Sequence, residues 1–474
     1  MGLTMAAGRS NRRGPRDKNA IAQLPWARLT NRLAPVEVLS SDEVEHIHNM
    51  SLRLLAEVGM SMHDPEARDI LARAGCAADH GTMRVRFDPA FIEEQVARAP
   101  SSFTLRARNA ERDLTFGGNH INFASVVGPA YCSDLDRGRR PGMTHDVREY
   151  VRLLQSLNTV HLIYGTPFEA MDVAPQVRHL EGYFNGIELT DKAWAGWLLG
   201  RYRAEDAIDM ACLVFGTDRE GLRARPACIA NINTNSPLVL DAAMSQGAMA
   251  FAECGQAVVV TPFTLAGAMA PATLAGALVG QNAEALACIA LLQTINPGTP
   301  CIYGTFTSNV DMRTGAPAFG TPEYAMAAFA SGQLARRHRL PWRSSNACAA
   351  NCVDAQAAYE SEMSIWGAVM GHTNMVMHGA GWMEGGLVAS YEKMIVDAEM
   401  LQMMSEFLQP IVVNDDTLAL DAIAEVGPGG HFFGAAHTYA HYETAFYTPM
   451  VSDWRNFETW REAGAVDAAH KANV

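Results

Sequence analysis

Positive charge is scarce in this chain. Its 474 residues carry 37 Lys and Arg against 51 Asp and Glu, a formal net charge of −14. Such a balance gives a phosphate backbone little to bind, so no nucleic-acid partner is expected. The exception is a basic cluster of Arg9, Arg12, Arg13, Arg16 and Lys18 set among Gly and Ser. It reads as a disordered tail covering residues 1–36. A disulfide framework is also missing. The nine cysteines are an odd number at scattered positions, which reads as reduced thiols in the cytoplasm. The start of the chain is charged and has no apolar run of signal-peptide type, so no secretory leader is expected.

Long uninterrupted apolar runs are absent too. The most apolar window, AVVVTPFTLAGAMAPATLAGALVG, is broken by Pro262 and Pro271 and continues into Gln281, Asn282 and Glu284. It reads as strand, loop and buried helix, and no membrane association is expected. Several catalytic signatures are lacking. There is no Gly-x-Ser-x-Gly elbow, no His-Glu-x-x-His pair and no Walker phosphate loop. GAGWMEG approaches the dinucleotide fingerprint but has Glu384 where its last glycine belongs. Cys348 and Cys352 have no second pair to complete a zinc set and read as buried thiols on one helix face.

What is present is a globular composition, 49% hydrophobic and 19% charged. Ser40 and Glu43 have capping-box spacing ahead of an apolar stripe, and two more helices and a short strand, RVRFDP, follow. Residues 37–118 are expected as an α-rich cap. From residue 119 to 410 short apolar runs alternate with amphipathic helices about eight times, which predicts an α/β fold, a (β/α)8 TIM barrel. Its strands are expected to begin near residues 121, 161, 193, 227, 257, 300, 341 and 373. Residues 411–474 then form an extension packing on the barrel. It carries VGPGGHFFGAAHTYAHYETAFYTPMVSDWR, with His431, His437 and His441. His437 and His441 share a helix face, but spacing supplies no third ligand, and no metal site is assigned. These histidines and the aromatics around them are expected to pack across the barrel or at a dimer face.

Catalysis in such a barrel belongs at the C-terminal strand ends. Those ends offer Tyr131, Tyr164, Trp197, Phe263, Tyr303, Phe306 and Trp382, the amides Asn235 and Asn346, and His378 and Glu384. Rings attract a quaternary ammonium through their negative faces, at about 0.5–2 kcal/mol each. The rings and amides are therefore expected to bind a methylated cation. His378 and Glu384 are the catalytic candidates, the alternative for the pair being a structural hydrogen bond that closes the barrel. Aromatic rings also close cores, so each ring alone has a structural alternative.

Five stretches resemble the trimethylamine methyltransferase family. They are GPAYCSDLDRGRRPGMT (128–144), residues 265–300, YGTFTSNVDMRTGAPAFGTPE (303–323), HGAGWMEGGLVASYEKMIVDAEM (378–400) and the C-terminal run. The resemblance spans roughly residues 40–462 and implies a TIM-barrel, corrinoid-dependent methyltransferase. Archaeal trimethylamine enzymes of the family carry pyrrolysine. This chain shows ordinary residues throughout, and so resembles the branch acting on glycine betaine and related betaines. That resemblance implies a substrate carboxylate, for which Arg343 is a candidate partner, and an orienting role for His378 and Glu384. The family passes a methyl group to cobalt(I) on a separate corrinoid protein. No Asp-x-His of the base-off cobalamin signature occurs here, so the corrinoid is expected on that partner and no cofactor on this chain. A homo-oligomer is expected. Two other readings stand beside this one: a zinc-dependent methyltransferase or hydrolase using Cys and His at the mouth, and a non-catalytic betaine-binding protein.

Overall fold

Ser40 and Glu43 do form the expected capping box, and helix α1 (Ser41–Glu57) starts there. Asp64 and Asp88 cap α2 (Pro65–Arg73) and α3 (Pro89–Val96), each with proline in the first turn, where its missing N–H costs nothing. This is a computed structural model, and it describes residue 21, residues 23–464 and residues 468–474. The basic cluster at residues 9–18 lies outside the described residues. The end of the expected tail does not hang free. Leu29–Thr30 pairs with the first barrel strand, and Leu24 N–H donates to Gln402 at 2.8 Å. The cap holds more than helices, because Met60–Met62, Arg84–Arg86 and Ala77–Asp79 form a small sheet with Val239–Leu240.

Eight apolar runs then become β1 (His120–Phe123), β2 (Leu162–Tyr164), β3 (Ala193–Ala195), β4 (Ile229–Thr234), β5 (Ala257–Ala266), β6 (Cys301–Gly304), β7 (Trp342–Ser345) and β8 (Met375–Met377). Each begins within two residues of the expected start. The pairs β2–β3, β3–β4, β4–β5, β5–β6, β6–β7, β7–β8 and β8–β1 are all parallel. The circuit closes where Ala124 bridges Leu162 in parallel. There Ser125 N–H donates to the Leu162 carbonyl at 2.9 Å, and His161 N–H donates to that of Phe123 at 2.8 Å. One long helix follows each strand in turn: α4 (Thr144–Ser156), α5 (Arg178–Leu189), α6 (Arg201–Phe215), α7 (Ala242–Glu253), α8 (Leu274–Ile295), α9 (Pro322–Arg337), α10 (Ala355–Met370) and α11 (Tyr391–Phe407).

The long apolar helix is α8. By length and composition it could cross a membrane, but it is mostly buried, lying between α1 and α3 of the cap and β5 of the barrel. A hairpin of Ser102–Leu105 and Leu114–Gly117 closes the N-terminal end of the barrel. Its Leu105, Leu114 and Phe116 pack with Ala193, Ile229, Ala257 and Met375, all first residues of their strands. The barrel therefore opens at the opposite end, where the strands terminate.

The C-terminal extension is anchored on α11 at two places, by its last helix (Ala468–Asn473) and by residues 447–451. Glu399 of α11 accepts the backbone N–H groups of Met450 at 2.6 Å and Val451 at 2.7 Å, and the Tyr447 hydroxyl. The aromatics expected to pack across the barrel do not do so in the chain alone: Phe433 is 90% exposed and Tyr439 77%. Cys348 and Cys352 are not on one helix face. Both lie in the loop after β7, where Cys348 is buried and Cys352 exposed, because α10 begins only at Ala355.

Glu284 on α8 holds the loop after β4. Its carboxylate accepts the Leu238 N–H at 2.8 Å, the Ser236 hydroxyl at 2.7 Å and the Thr234 hydroxyl. Burial raises its pKa against the pull of these bonds. Removing the carboxylate strands three donors, so Glu284→Ala should cost about 2–4 kcal/mol in urea denaturation. A cost below about 0.5 kcal/mol would show that this loop needs no such clamp.

Candidate active site

Alternation along a strand decides which side chains can reach the barrel axis. On β2, Leu162 and Tyr164 face inward and Ile163 outward; on β3, Ala193 and Ala195 face inward and Trp194 outward. Above the inward layer lies a cavity of ≈ 230 Å³. Five of the expected rings line it: Tyr164, Trp197, Phe263, Phe306 and Trp382. Phe263 stacks on Phe306 with centroids 5.3 Å apart, and Trp382 meets Phe306 edge-on at 5.9 Å.

The other expected residues lie elsewhere. Tyr303 points outward, as its place beside inward-facing Ile302 requires, and bonds Asn282 of α8 at 2.9 Å. Tyr131 sits on a side hairpin (Tyr131–Asp134 with Gly138–Pro141), covered by the Arg139 guanidinium 3.9 Å from its ring. Asn235 is exposed beyond the rim; Asn233 and Asn231, one and two pleats further in on the same strand face, line the cavity instead. Asn346 is buried beside β8 and donates to the Gly379 carbonyl at 3.1 Å. Glu384 pairs with Arg139 at 3.0 Å and does not line the cavity. It belongs to a tight turn with φ of 51°, and the residue that reaches the cavity from this segment is Trp382.

His378 does line the cavity, and its backbone is left-handed at φ 57°, a costly conformation for a non-glycine residue. The surroundings hold it there. Ser345 Oγ lies 3.2 Å from Nδ1, and the Trp382 indole stacks on the ring at 5.2 Å. The chain turns between them at Gly381, where φ is 99° and a Cβ would meet the Tyr150 hydroxyl at 1.9 Å. Gly381 N–H donates to Asp397 at 2.7 Å, and Asp397 in turn pairs with buried Lys393. Burial, and then the positive charge of Arg343, push the His378 pKa well below its ordinary value, so the imidazole is neutral.

Arg343 is the dominant charge in the cavity. It is 2% exposed, yet among the described residues no carboxylate pairs with it. Its guanidinium donates to the Thr305 carbonyl at 2.8 Å and to the Met377 sulfur at 2.9 and 3.2 Å, the latter a weak acceptor. Burial lowers its pKa to about 10, which still leaves it charged at neutral pH. Beside it the Tyr164 hydroxyl is buried with no hydrogen-bond partner among the described residues. A buried cation without a counter-ion and a buried donor without an acceptor form a receptor for an anionic oxygen. The rest of the lining is largely aromatic; Phe306 lies against the guanidinium itself, and Trp197, Phe263 and Trp382 offer rings suited to a methylated cation.

Residues 5–474 match the trimethylamine methyltransferase (MTTB) family. A glycine betaine methyltransferase of Desulfitobacterium hafniense (strain Y51) is 37% identical over 429 residues, 90% of this chain and 89% of its own length. A trimethylamine methyltransferase MttB of Desulfitobacterium hafniense (strain DSM 10664 / DCB-2) is 30% identical over 91% of this chain and 87% of its own. The chain belongs to the trimethylamine methyltransferase family. It is a methyltransferase. Its fold is also that of the crystal structure of the Methanosarcina barkeri monomethylamine methyltransferase (MtmB), at 10% identity and a TM-score of 0.53 over 81% of this chain and 77% of that one.

Strand phase was the signal that sequence reasoning underused. Applied to β4 and β5, the period of two selects Asn231, Asn233, Thr261 and Phe263 together, and all four line the cavity. Neutral His378 has a direct consequence. In histidine 15N–1H correlation spectra its imidazole should stay unprotonated from pH 8 down to pH 6, with titration far below the usual midpoint near 6.5. A titration near that midpoint would contradict the arrangement.

Proposed function

We propose that this methyltransferase takes a methyl group from a quaternary amine that also carries a carboxylate, glycine betaine or a related betaine, and delivers it to cobalt(I) of a separate corrinoid protein. The observation that carries the reading is the unpaired Arg343 within an aromatic cavity. A plain cation in the cavity would face that guanidinium. Two like charges about 5 Å apart repel by about 3 kcal/mol at an effective dielectric of about 20. That offsets two or three ring contacts at about 0.5–2 kcal/mol each. A zwitterion meets no such penalty. Its carboxylate accepts from Arg343 and Tyr164, and its ammonium lies away from the guanidinium, against Phe263 and Trp382. The name of the more similar Desulfitobacterium relative supports the same substrate class.

The reaction asks little acid–base work of the protein. The N–CH3 bond breaks with its electron pair remaining on nitrogen, which leaves as a neutral tertiary amine. The methyl carbon bonds to cobalt through the electron pair that the reduced metal supplies. No proton has to be donated, and among the described residues the cavity lining contains no carboxyl or thiol group to donate one. The side chains bind the carboxylate, hold one N-methyl toward the open strand ends and exclude water. His378 acts as a fixed neutral wall beside Trp382. A zinc-dependent reading finds little support, because among the described residues one imidazole, without a thiol or carboxylate, lines the cavity. The free state of all nine cysteines fits a reducing compartment, and we place the enzyme in the cytoplasm.

A panel of amines incubated with reduced corrinoid protein, with cobalt methylation read spectrally, tests the assignment. Carboxylate-bearing quaternary amines should react fastest, and choline and trimethylamine slowly. Efficient turnover of trimethylamine would overturn it, and betaine binding without methyl transfer would mark a binding protein. Arg343→Met should raise the betaine KM by about 30-fold or more, the cost of losing a buried charged hydrogen-bond pair. The KM should also be nearly constant from pH 6.5 to 9, since the ammonium is permanent, His378 is already neutral and Arg343 stays charged. A KM that falls tenfold per pH unit in that window would point to a substrate that must lose a proton first.

A further inference from the structure

The histidine pair of the C-terminal extension lacked a third ligand in the sequence, and the fold brings one to it. His437 and His441 lie on one face of the short helix Ala436–His441, with ring centroids 4.4 Å apart. Asp416, twenty-one residues upstream of His437, sits in the turn Asp415–Leu418 that packs beside them. Its carboxylate oxygen lies 3.3 Å from His441 Nε2, and its carbonyl oxygen lies 2.9 Å from His437 Nε2. One potential ligand atom from each of the three side chains falls within 4.8 Å of the other two. In a tetrahedral zinc site with bonds of about 2.0–2.1 Å, ligand atoms stand about 3.4 Å apart, so small side-chain rotations close the set.

We propose that Asp416, His437 and His441 bind one divalent first-row transition-metal ion, zinc being the best match. Two imidazoles and a carboxylate are a borderline donor set, suited to zinc, cobalt and nickel and poorly suited to magnesium or calcium, which take oxygen ligands. Partial exposure serves the site. The His441 side chain is 34% exposed and that of Asp416 68%, so an ion can enter and water can complete the coordination. The ion takes the positions of the protons now shared between the imidazoles and Asp416. None of the three residues lines the barrel cavity, so the ion takes no part in methyl transfer. It has a structural task instead. The helices it joins, Asp415–Leu418 and Ala436–His441, are too short to hold themselves, and a shared ion ties them into one unit.

The competing account is a hydrogen-bonded clamp with no affinity for metal. Untagged, chelator-stripped full-length protein dialysed against micromolar Co2+ separates the two. One cobalt per chain is expected, with visible d–d bands of a four-coordinate nitrogen–oxygen site and no thiolate charge transfer in the near ultraviolet. His437→Gln and His441→Gln should each abolish it, and Asp416→Asn should weaken it tenfold or more, with circular dichroism and methyl transfer unchanged. Zinc should also slow proteolysis between residues 414 and 441 in the wild type and not in His441→Gln. Absence of stoichiometric binding overturns the proposal. So does binding that survives in the double histidine variant or shows thiolate bands.

Discussion

A guanidinium buried without a counter-ion is the constraint around which this site is organised. Taking a charge out of water costs several kcal/mol unless something compensates it. Around Arg343 the protein supplies one carbonyl, one thioether and the face of Phe306, 5.3 Å from the guanidinium carbon. That compensation is partial. The remainder is left to whatever enters the cavity, so on the proposed reading binding and selectivity come from one group. A ligand with a carboxylate completes the arginine, and a ligand without one leaves the charge exposed to a second cation.

The rest of the fold keeps that arrangement rigid and accessible. The hairpin below closes the barrel at the first residues of the strands, so the cavity faces the end where a large partner can approach. Glu284 fixes the loop above β4, and Asp397 with Lys393 fixes the turn that sets His378 and Trp382 side by side. These carboxylates stand behind the walls and outside the cavity. That separation matches a transfer in which the leaving amine is neutral from the moment the bond breaks.

Barrel architecture was legible because each parallel strand is buried on both faces and so appears as a short apolar run. The eight strand starts could be read from those runs to within two residues. The site was legible as an aromatic mouth but not residue by residue. Tyr303 was misplaced because the phase of β6 sends it to the helix layer, and Asn235 because β4 ends before it. Tyr131 and Glu384 went wrong together: the first lies on a side hairpin and the second on a turn, and Arg139 contacts both. Arg343 was undervalued for another reason. A sequence names an arginine but does not show whether an acid stands beside it, and here the lack of one gives the residue its importance. Asp416 joins two histidines through a turn in space that no spacing along the chain announces.

The most direct test of the central claim is a thermodynamic cycle measured by titration calorimetry without any corrinoid protein. Glycine betaine and its carboxylate-free analogue tetramethylammonium are titrated into the wild type and into Arg343→Met. The account expects betaine to lose about 30-fold or more in affinity on substitution, while tetramethylammonium keeps its affinity or gains, since the variant removes a like charge. Equal losses for the two ligands would contradict it, because Arg343 would then be shaping the cavity and not binding the carboxylate.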